Sequence, residues 1–189
     1  IIFAWREGHR LQDMAKLEKL GFKVIFSQPK KLTDIAAEIK QYGKWLGTEK
    51  QANQSALKIQ QELQRLHQRY QTDSMHKKPK VFYQIWQKPL MTVNAENFIS
   101  QAITLCGAQN IFADLPVQAG QVNKESLLNR NPDIILIGGD QATQQNWQKK
   151  WLTIKQLKAV QKKKIHLINA NLYQRPTERF VMNIEKFCD

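Results

Sequence analysis

The feature that most constrains the fold is a run from Thr48 to Gln71 that contains neither glycine nor proline and is rich in Gln, Lys, Glu and Ala. An apolar stripe at helical spacing runs along it. The stripe consists of Leu57, Leu63, Leu66 and Tyr70. Thr48 is placed to cap the first turn, so we predict one long, largely exposed helix of about 36 Å at about 1.5 Å per residue. Polar helices of that length usually bridge domains or form coiled coils.

The sequence before this helix alternates short apolar runs with amphipathic ones. Residues 1–5 and 22–27 are predicted strands, and residues 9–21 and 31–47 are predicted helices. One side of the second helix carries Leu32, Ile35, Ile39, Tyr42 and Leu46. Strand, helix, strand and helix joined by short links predict parallel strands with crossover helices.

The same alternation resumes after the long helix. Predicted strands lie at 80–86, 133–138 and 164–170, and predicted helices at 95–107, 123–131, 143–151 and 177–189. We therefore predict an α/β fold with two Rossmann-like lobes joined by one bridging helix. Residues 1–47 would form the second half of an N-terminal lobe, 48–72 the bridge, and 73–189 the C-terminal lobe.

Candidate binding residues follow from the predicted strand ends. Ligands of open α/β sheets bind beyond the carboxyl ends of the strands. At those ends the chain places Trp5, Arg6, Trp86, Met91, Asn171 and Arg175. Large aromatic or sulfur-containing groups with a polar fringe suit a bulky, mostly flat ligand. A Trp or Met at a strand end also commonly packs into the core, so each residue alone has a structural alternative.

The net charge of +13 at pH 7 invites a nucleic-acid interpretation. The lysines are nevertheless scattered along helix faces, with two tight clusters, at 77–80 and 162–164, that precede apolar strands. No RNP, zinc-finger or helix-turn-helix pattern occurs, and no apolar run approaches the roughly 18–20 residues that cross a bilayer. We predict neither nucleic-acid binding nor membrane insertion; a steep salt dependence of DNA affinity would favour the basic nucleic-acid binder instead.

Motifs of catalysis are missing from the sequence. The four histidines, His9, His67, His76 and His166, show no metal-binding spacing. There is no nucleophile elbow, Walker loop or dinucleotide fingerprint, and "GGD" at 138–140 lacks the Lys and Ser/Thr of a phosphate loop. We predict a binding protein with no catalytic residues, no metal and no cofactor, rather than an enzyme.

The sequence contains two cysteines. Cys106 and Cys188 each follow an amphipathic run, at the C-terminal end of a predicted helix. The residues alone leave two alternatives open: two buried thiols, or a disulfide that closes a loop of about 80 residues and stabilises the fold by about 4 kcal/mol.

Six segments resemble a known family, the helical-backbone substrate-binding proteins of ABC importers, and within it the cobalamin branch. They are "AWREGH", "LEKLGFKVIFSQPKKLTDIAAEI", "VFYQIWQKPLMTVN", "LCGAQNIFADLP", "QVNKESLLNRNPDIILI" and the final "FCD". Members have two α/β lobes joined by one long helix, and they carry a signal peptide and about three further strands and helices before the strand that begins at Ile1. The resemblance implies a periplasmic protein whose N-terminal lobe is incomplete here.

The resemblance also implies a ligand and its contacts. Cobalamin would be the transported ligand, held between the lobes with Trp5 against the corrin ring, while Arg6 contacts the ligand or holds its own loop. Met91 would form part of the pocket wall, and Asn171 and Arg175 its fringe. Asn171 stands where relatives have an acidic residue, and Ala119 where some have Trp. These departures keep a ferric siderophore or haem open as the alternative ligand.

Delivery and redox state follow from the same resemblance. Glu125 matches a lobe-tip glutamate that docks onto an arginine of the membrane permease, although a Glu in the first turn of a helix is also favoured by the helix dipole. Cys106 and Cys188 match a disulfide pair. The implied mechanism is capture between rigid lobes with a small closure. A metallocluster enzyme on a related scaffold needs Cys or His ligands at the lobe interface, and neither cysteine is at a strand end.

Overall fold

The computed structural model describes residues 1–5, 10–70 and 77–188. The first part of the chain forms β1 (Ile2–Trp5), α1 (Leu11–Lys19), β2 (Val24–Ser27) and α2 (Leu32–Leu46). β1 and β2 are parallel, with Ile2 opposite Val24 and Trp5 opposite Ser27. At the start of α2, the Asp34 carboxylate accepts a hydrogen bond from the Lys31 amide at 2.8 Å. Gly47 ends the helix with a φ of 67°, which glycine adopts without a Cβ clash.

The long predicted helix is α3 (Glu49–Tyr70), a single helix of 22 residues that packs along α2. Its buried positions are Ala52, Ala56, Ile59 and Leu66. Leu57, which was predicted to belong to the apolar stripe, is 53% exposed and lies off the buried side of the helix. The reason is angular: Leu57 lies about 100° around the helix from the buried Ala56, and Ala52, on the buried side, comes close to Gly43 of α2.

The second part of the chain has a larger set of elements. They are β3 (Lys80–Gln84), β4 (Trp86–Gln87), β5 (Leu90–Val93), α4 (Phe98–Leu105), β6 (Gln109–Asn110), β7 (Ala119–Gln121), α5 (Lys124–Arg130), β8 (Ile134–Ile137), α6 (Gln141–Leu152), α7 (Lys158–Gln161), β9 (Ile165–Leu167), α8 (Ala170–Tyr173), α9 (Glu178–Val181) and α10 (Ile184–Cys188). Four strands form a parallel sheet in the order β6-β3-β8-β9. The predicted α/β class is confirmed.

Two predicted elements are divided in the structure. The strand expected over 80–86 stops at Gln84, and β4 turns back onto β5 in an antiparallel hairpin that continues to β7. The helix expected over 177–189 is instead the two short helices α9 and α10, interrupted at Met182 and Asn183. The Asn183 carbonyl accepts a hydrogen bond from the Tyr173 hydroxyl at 3.1 Å, a tertiary contact made at the interruption.

Apolar residues cover both faces of the parallel sheet. One cluster joins Val81, Tyr83 and Leu136 to α2, α3, α4 and α9. The other surrounds Phe82 and Ile135 on the opposite face with residues of α6 and α7. Because successive strand residues point to opposite faces, this alternation buries both faces of the sheet under helices.

Cys106 and Cys188 form a disulfide across 82 residues, as the resemblance implied. It joins the C-terminal cap of α4 to the end of α10. The boundaries predicted at 47/48 and 72/73 stay predictions, and the second lies outside the described residues.

Candidate functional site

A cavity of about 550 Å³ lies between the first α/β part and the segment after α8. One wall consists of Trp5, Ser27, Ile35, Glu38, Ile39 and Tyr42. The other consists of Gln174, Arg175, Pro176, Thr177 and Glu178. The volume falls within the roughly 300–1,000 Å³ of small-molecule sites, and the cavity is contributed by both halves of the chain.

The first wall is built at the carboxyl ends of two strands. Trp5 ends β1 and Ser27 ends β2, and the two residues are paired in the parallel ladder. Ile35, Ile39 and Tyr42 follow one another on α2 at spacings of four and three, which places them on one helical face. The apolar surface of this wall therefore comes from half-buried Trp5 and from the side of α2 that faces it.

A hydrogen-bonded carboxylate connects α2 to β2 within this wall. Glu38 Oε2 accepts from Ser27 Oγ at 2.7 Å and from the Tyr42 hydroxyl at 2.8 Å. Glu38 Oε1 accepts from the Gln28 amide at 2.9 Å. Burial raises the pKa of Tyr42, and the Glu38 carboxylate raises it further, so the phenol remains a neutral donor at pH 7. Glu38 thus fixes the position of α2 relative to the strand that pairs with Trp5.

The second wall is fixed from the sheet and from α3. Gln174 Nε2 donates to the Tyr83 hydroxyl at 3.4 Å, and burial raises the pKa of Tyr83 to about 12. Thr177 Oγ1 caps α9 by accepting from the Phe180 amide at 3.3 Å. Glu178 Oε2 accepts from Ser55 Oγ of α3 at 2.6 Å. Gln174 and Glu178, at the two ends of this segment, are therefore hydrogen-bonded to β3 and α3.

The "GGD" sequence forms a structural turn beneath this wall. A Cβ on Gly138 would come closer than 3.0 Å to Gln174 and Tyr83, so the backbone has to approach them without a side chain. Asp140 accepts from the Thr143 amide at 3.0 Å and from Thr143 Oγ1 at 2.6 Å, which caps α6 and holds the pKa of this carboxyl below its usual range. Both glycine and aspartate thus have local structural roles.

Among the predicted binding residues that the structure describes, Trp5 and Arg175 line the cavity. Arg175 is exposed at its rim, whereas Trp5 is half-buried in the opposite wall. Asn171 is exposed on α8 and is not among the lining residues. Arg6 lies outside the described residues.

Trp86 and Met91 lie on the β4–β5 hairpin, directly opposite each other in the ladder. Trp86 is 54% exposed, its indole Nε1 donates to the Lys88 carbonyl at 2.9 Å, and its ring contacts Trp147 edge to face at 5.9 Å between centroids. Met91 is half-buried. Neither residue lines the cavity, so their contact with a ligand stays a prediction.

Two further positions singled out from the sequence are exposed. Ala119 begins β7, and Glu125 lies in the first turn of α5. Asn123 caps that helix, because its Oδ1 accepts from the Ser126 amide at 2.7 Å. The Glu125 side chain is therefore presented to solvent at the start of a fixed helix.

Sequence reasoning did not single out Glu38, Gln174 and Glu178 as site residues. Ile35, Ile39 and Tyr42 were recognised as one side of α2, and Glu38 lies four residues before Tyr42 on the same helix. That spacing was the available signal, since side chains four residues apart on a helix meet. The partners of Glu38 and Glu178 on other elements are tertiary and have no local signal.

Within the described ranges, no group of three or more His, Cys, Asp or Glu side chains is placed to hold a metal ion. The helices of those ranges include none that is both long and apolar enough to cross a membrane.

Comparisons with known proteins agree on one family. Residues 3–172 match the family model described as periplasmic binding protein. The chain is 31% identical over 188 residues to the vitamin B12-binding protein of Vibrio cholerae, covering 100% of this chain and 66% of that protein. It is 30% identical to the vitamin B12-binding protein of Photorhabdus laumondii, of which it covers 65%. The chain thus spans slightly less than two thirds of these curated relatives.

Solved structures have the same fold. The crystal structure of the periplasmic vitamin B12-binding protein of Vibrio cholerae matches with a TM-score of 0.82 at 31% identity, covering 99% of this chain and 71% of that one. A periplasmic haem-binding protein from Roseiflexus matches with a TM-score of 0.85 at 13% identity, covering 98% and 73%. The second match shows the fold alone.

Proposed function

Because this chain belongs to the periplasmic binding protein family, we propose that it captures cobalamin in the periplasm and delivers it to the permease of an ABC transporter. The observation that carries this proposal is the cavity between Trp5 and α2 on one side and residues 174–178 on the other. One wall includes the carboxyl ends of β1 and β2, where ligands of α/β folds bind, and the other is the segment that follows α8. The similarity to vitamin B12-binding proteins supports the choice of ligand.

The chemistry of the two walls suits a flat ring with polar substituents. Trp5, Ile35 and Ile39 offer an apolar surface against which a corrin ring can stack. Gln174, Arg175 and Thr177 offer polar groups on the opposite wall, suited to the carboxamides around that ring. Arg6, Trp86, Met91 and Asn171 are proposed as further contacts around the same ligand.

Delivery would proceed with little change in the arrangement of the walls. Ser55 of α3 bonds Glu178, and Arg65 and Arg69 of α3 pair with Glu185 of α10. On the other side, Gln101 of α4 accepts from the Leu32 amide at 3.0 Å and donates to the Lys30 carbonyl at 2.6 Å. Since α3 bonds to the second wall and packs on α2, and α4 bonds to the start of α2, we expect a small closure. A large ligand-induced compaction in small-angle scattering would contradict it.

Glu125 is proposed as the docking residue for a cation of the permease. It is exposed on a capped helix, as a lobe-tip contact requires. Exchanging Glu125 for Lys should abolish cobalamin uptake in cells while leaving cobalamin affinity unchanged. Exchange of the neighbouring Lys124 for Gln, which keeps the helix cap, is the matched control.

The alternative is a ferric siderophore or haem as the ligand. Arg175 at the rim of the cavity favours it, because a guanidinium pairs well with the carboxylates that such ligands carry. Asn171 and Ala119, which depart from the cobalamin branch, are consistent with the same alternative. The transported molecule would in either case leave unchanged, since the proposal includes no catalytic residue and no resident cofactor.

The deciding experiment is a calorimetric titration of the protein, in the form in which cells produce it, with cobalamin, haem and a ferric siderophore. We expect submicromolar one-to-one binding of cobalamin. Exchange of Trp5 for Ala should weaken it by about tenfold to a hundredfold, the range for an aromatic hot spot. Exchange of the exposed Leu57 for Ala is the control. Tight binding of haem or of a siderophore, without binding of cobalamin, would make that molecule the ligand in place of cobalamin. The proposed role as a substrate-binding protein would then be unchanged.

A further inference from the structure

Positive charge is concentrated in one part of the chain. Of the net charge of +13, much lies between Gln141 and Thr177, where the sequence has seven lysines and one arginine but no Asp or Glu. A cationic face is expected to attract polyanions or anionic surfaces, and its position in the fold decides which of these it fits.

The fold gathers several of these lysines, together with Lys80, at the amino ends of the parallel strands. Lys80 begins β3, and Lys164 immediately precedes β9. The Lys164 carbonyl accepts from the Ile135 amide at 2.9 Å, and the Lys158 amide donates to Asn131 Oδ1 at 3.0 Å, which brings β8, β9 and α7 together. We name the cationic edge by its residues Lys80, Lys158, Lys162, Lys163 and Lys164. Exposed Lys77 and Lys78 precede it in sequence.

One carboxylate is shared among these lysines. Asp133 accepts from Lys162 Nζ at 2.8 Å and from the Lys80 amide at 3.0 Å. In the part of the chain that the structure describes, neither Lys158, Lys163 nor Lys164 is within ion-pair distance of a carboxylate. Asp114 is held by Arg130 in a two-point contact rather than by a lysine of the cationic edge.

Local stability does not account for this charge. Lys162 lies at the end of α7, where the helix dipole favours a cation. Lys163, by contrast, has a φ of 56°, a left-handed conformation that costs a lysine more than Gly or Asn. At the end of α5 the same conformation is taken by Asn131, with a φ of 43°. A lysine at position 163 is therefore better explained by its charge than by its backbone.

An exposed apolar residue accompanies the cations. Leu152 ends α6 and is 43% exposed, close in sequence to Lys149, Lys150 and Lys155. The C-terminal half of α6 reaches the amino end of β9, since Gln148 Nε2 donates to the Ile165 carbonyl at 3.3 Å. Lysines around an exposed leucine are typical of surfaces that adsorb to anionic bilayers. Nucleic acids are usually bound with arginine forks and stacked aromatics, and the cationic edge contains neither.

We propose that the cationic edge, with Leu152 beside it, docks onto the surface of an anionic phospholipid bilayer. Gln174 of the cavity wall lies against Gly138, which follows the carboxyl end of β8, so a protein bound by the amino ends of the strands keeps its cavity open to solution. The inference concerns a different surface from the ligand site and does not depend on which ligand is bound.

The test is vesicle cosedimentation of the 189-residue chain. We expect binding to phosphatidylcholine vesicles that contain about 30 mol% phosphatidylglycerol, no binding to pure phosphatidylcholine, and loss of binding at about 1 M salt. Exchanging Lys158, Lys163 and Lys164 for Gln should weaken binding by roughly a hundredfold, at about fivefold per lysine. The Lys162–Asp133 pair remains intact in this variant.

The matched control exchanges exposed Lys44, Lys50 and Lys58 on α2 and α3 for Gln, with the same change in net charge. Its binding should fall by no more than about threefold. Equal losses in the two variants, or no binding by the wild type, would overturn the proposal. So would a DNA oligonucleotide that binds the cationic edge more tightly than the vesicles at the same salt, because the surface would then be a nucleic-acid site. Exchange of Leu152 for Ser should weaken vesicle binding and leave DNA unaffected.

Discussion

The part of the chain before α3 and the part after it follow the same alternation of strand and helix, yet they bury their apolar residues to different extents. In the four-stranded sheet, Phe82, Tyr83 and Ile135 are fully buried. In the two-stranded sheet, Ala4 and Ile25 are buried, whereas Phe3 is 43% exposed. Four large apolar residues of the first 22 are also more than 48% exposed: Ile1, Leu11, Leu20 and Phe22.

This difference shows that the alternation sets the type of element but not the depth of its burial. A sheet buries both faces only when helices cover both; within the described ranges β2 packs on α1, and Phe3 of β1 contacts Tyr42 and Trp45 of α2. α2 in turn packs extensively on α3. The first part of the molecule therefore depends for its stability on a helix–helix contact, and the second on its own sheet.

The largest expected effect contrasts two phenylalanines. Phe82 is fully buried between Phe112 and Trp151, at 5.7 and 5.9 Å between ring centroids, so exchange for Ala should lower the free energy of unfolding by about 3–5 kcal/mol. Exchange of Phe3 for Ala should cost about 1 kcal/mol, because much of its ring is already in water. Urea unfolding with matched slopes measures both. Equal losses would mean that the two sheets are equally well packed.

The next largest effect is expected from the disulfide. We expect it to be confined to the elements that follow α3 in the sequence. Replacing both Cys106 and Cys188 with Ser should lower the free energy of unfolding by about 2–5 kcal/mol, because the unfolded chain loses a closed loop of 82 residues. Hydrogen exchange would locate the loss: we expect faster opening of α4 and α10 and little change in α1. A reductant should have no further effect on the double variant. If α1 opened faster to the same degree, the expected difference between the parts of the chain before and after α3 would be contradicted.

A smaller effect is expected where α2 meets α3. Exchange of a helical Gly for Ala normally stabilises a protein by about 0.5–1 kcal/mol. At Gly43 a Cβ would come closer than 3.0 Å to that of Ala52, so Gly43→Ala should instead destabilise by about 1–3 kcal/mol. Adding Ala52→Gly should restore part of the loss, and thermal melts of the single and double variants measure it. Stabilisation by the single exchange would show that the contact is loose.

The smallest expected effect depends on pH. The hydrogen bond from Lys162 lowers the pKa of Asp133, followed by that from the Lys80 amide. A carboxyl with a lowered folded-state pKa contributes stability above its unfolded pKa of about 3.9 and loses it as pH falls through the folded value. Asp133→Asn should therefore flatten the decline in stability below about pH 4 by less than about 1 kcal/mol. Urea unfolding at a series of pH values measures this decline, and the same decline in the wild type and the variant would contradict the prediction.

Much of the fold could be predicted from the sequence, because strong periodicity identified α2, α3, β3 and β8 to within a few residues. The hairpin of β4 and β5 could not, since a strand of two residues has no period. The resemblance predicted the pairing of Cys106 with Cys188, which the residues alone had left open. The site was predicted in part: Trp5 and Arg175 line the cavity, but Glu38 and Glu178 depend on partners that only the folded chain brings near.

The disulfide has a mechanical consequence. The covalent ring from Cys106 to Cys188 contains β6, β8 and β9, while β3, which lies between β6 and β8 in the sheet, is outside the ring. A force that pulls the chain by its two ends would therefore draw β3 out from between two strands that cannot themselves be extended. The ring would withhold roughly 270–300 Å of contour length, and in a single-molecule extension trace that length would appear only after reduction.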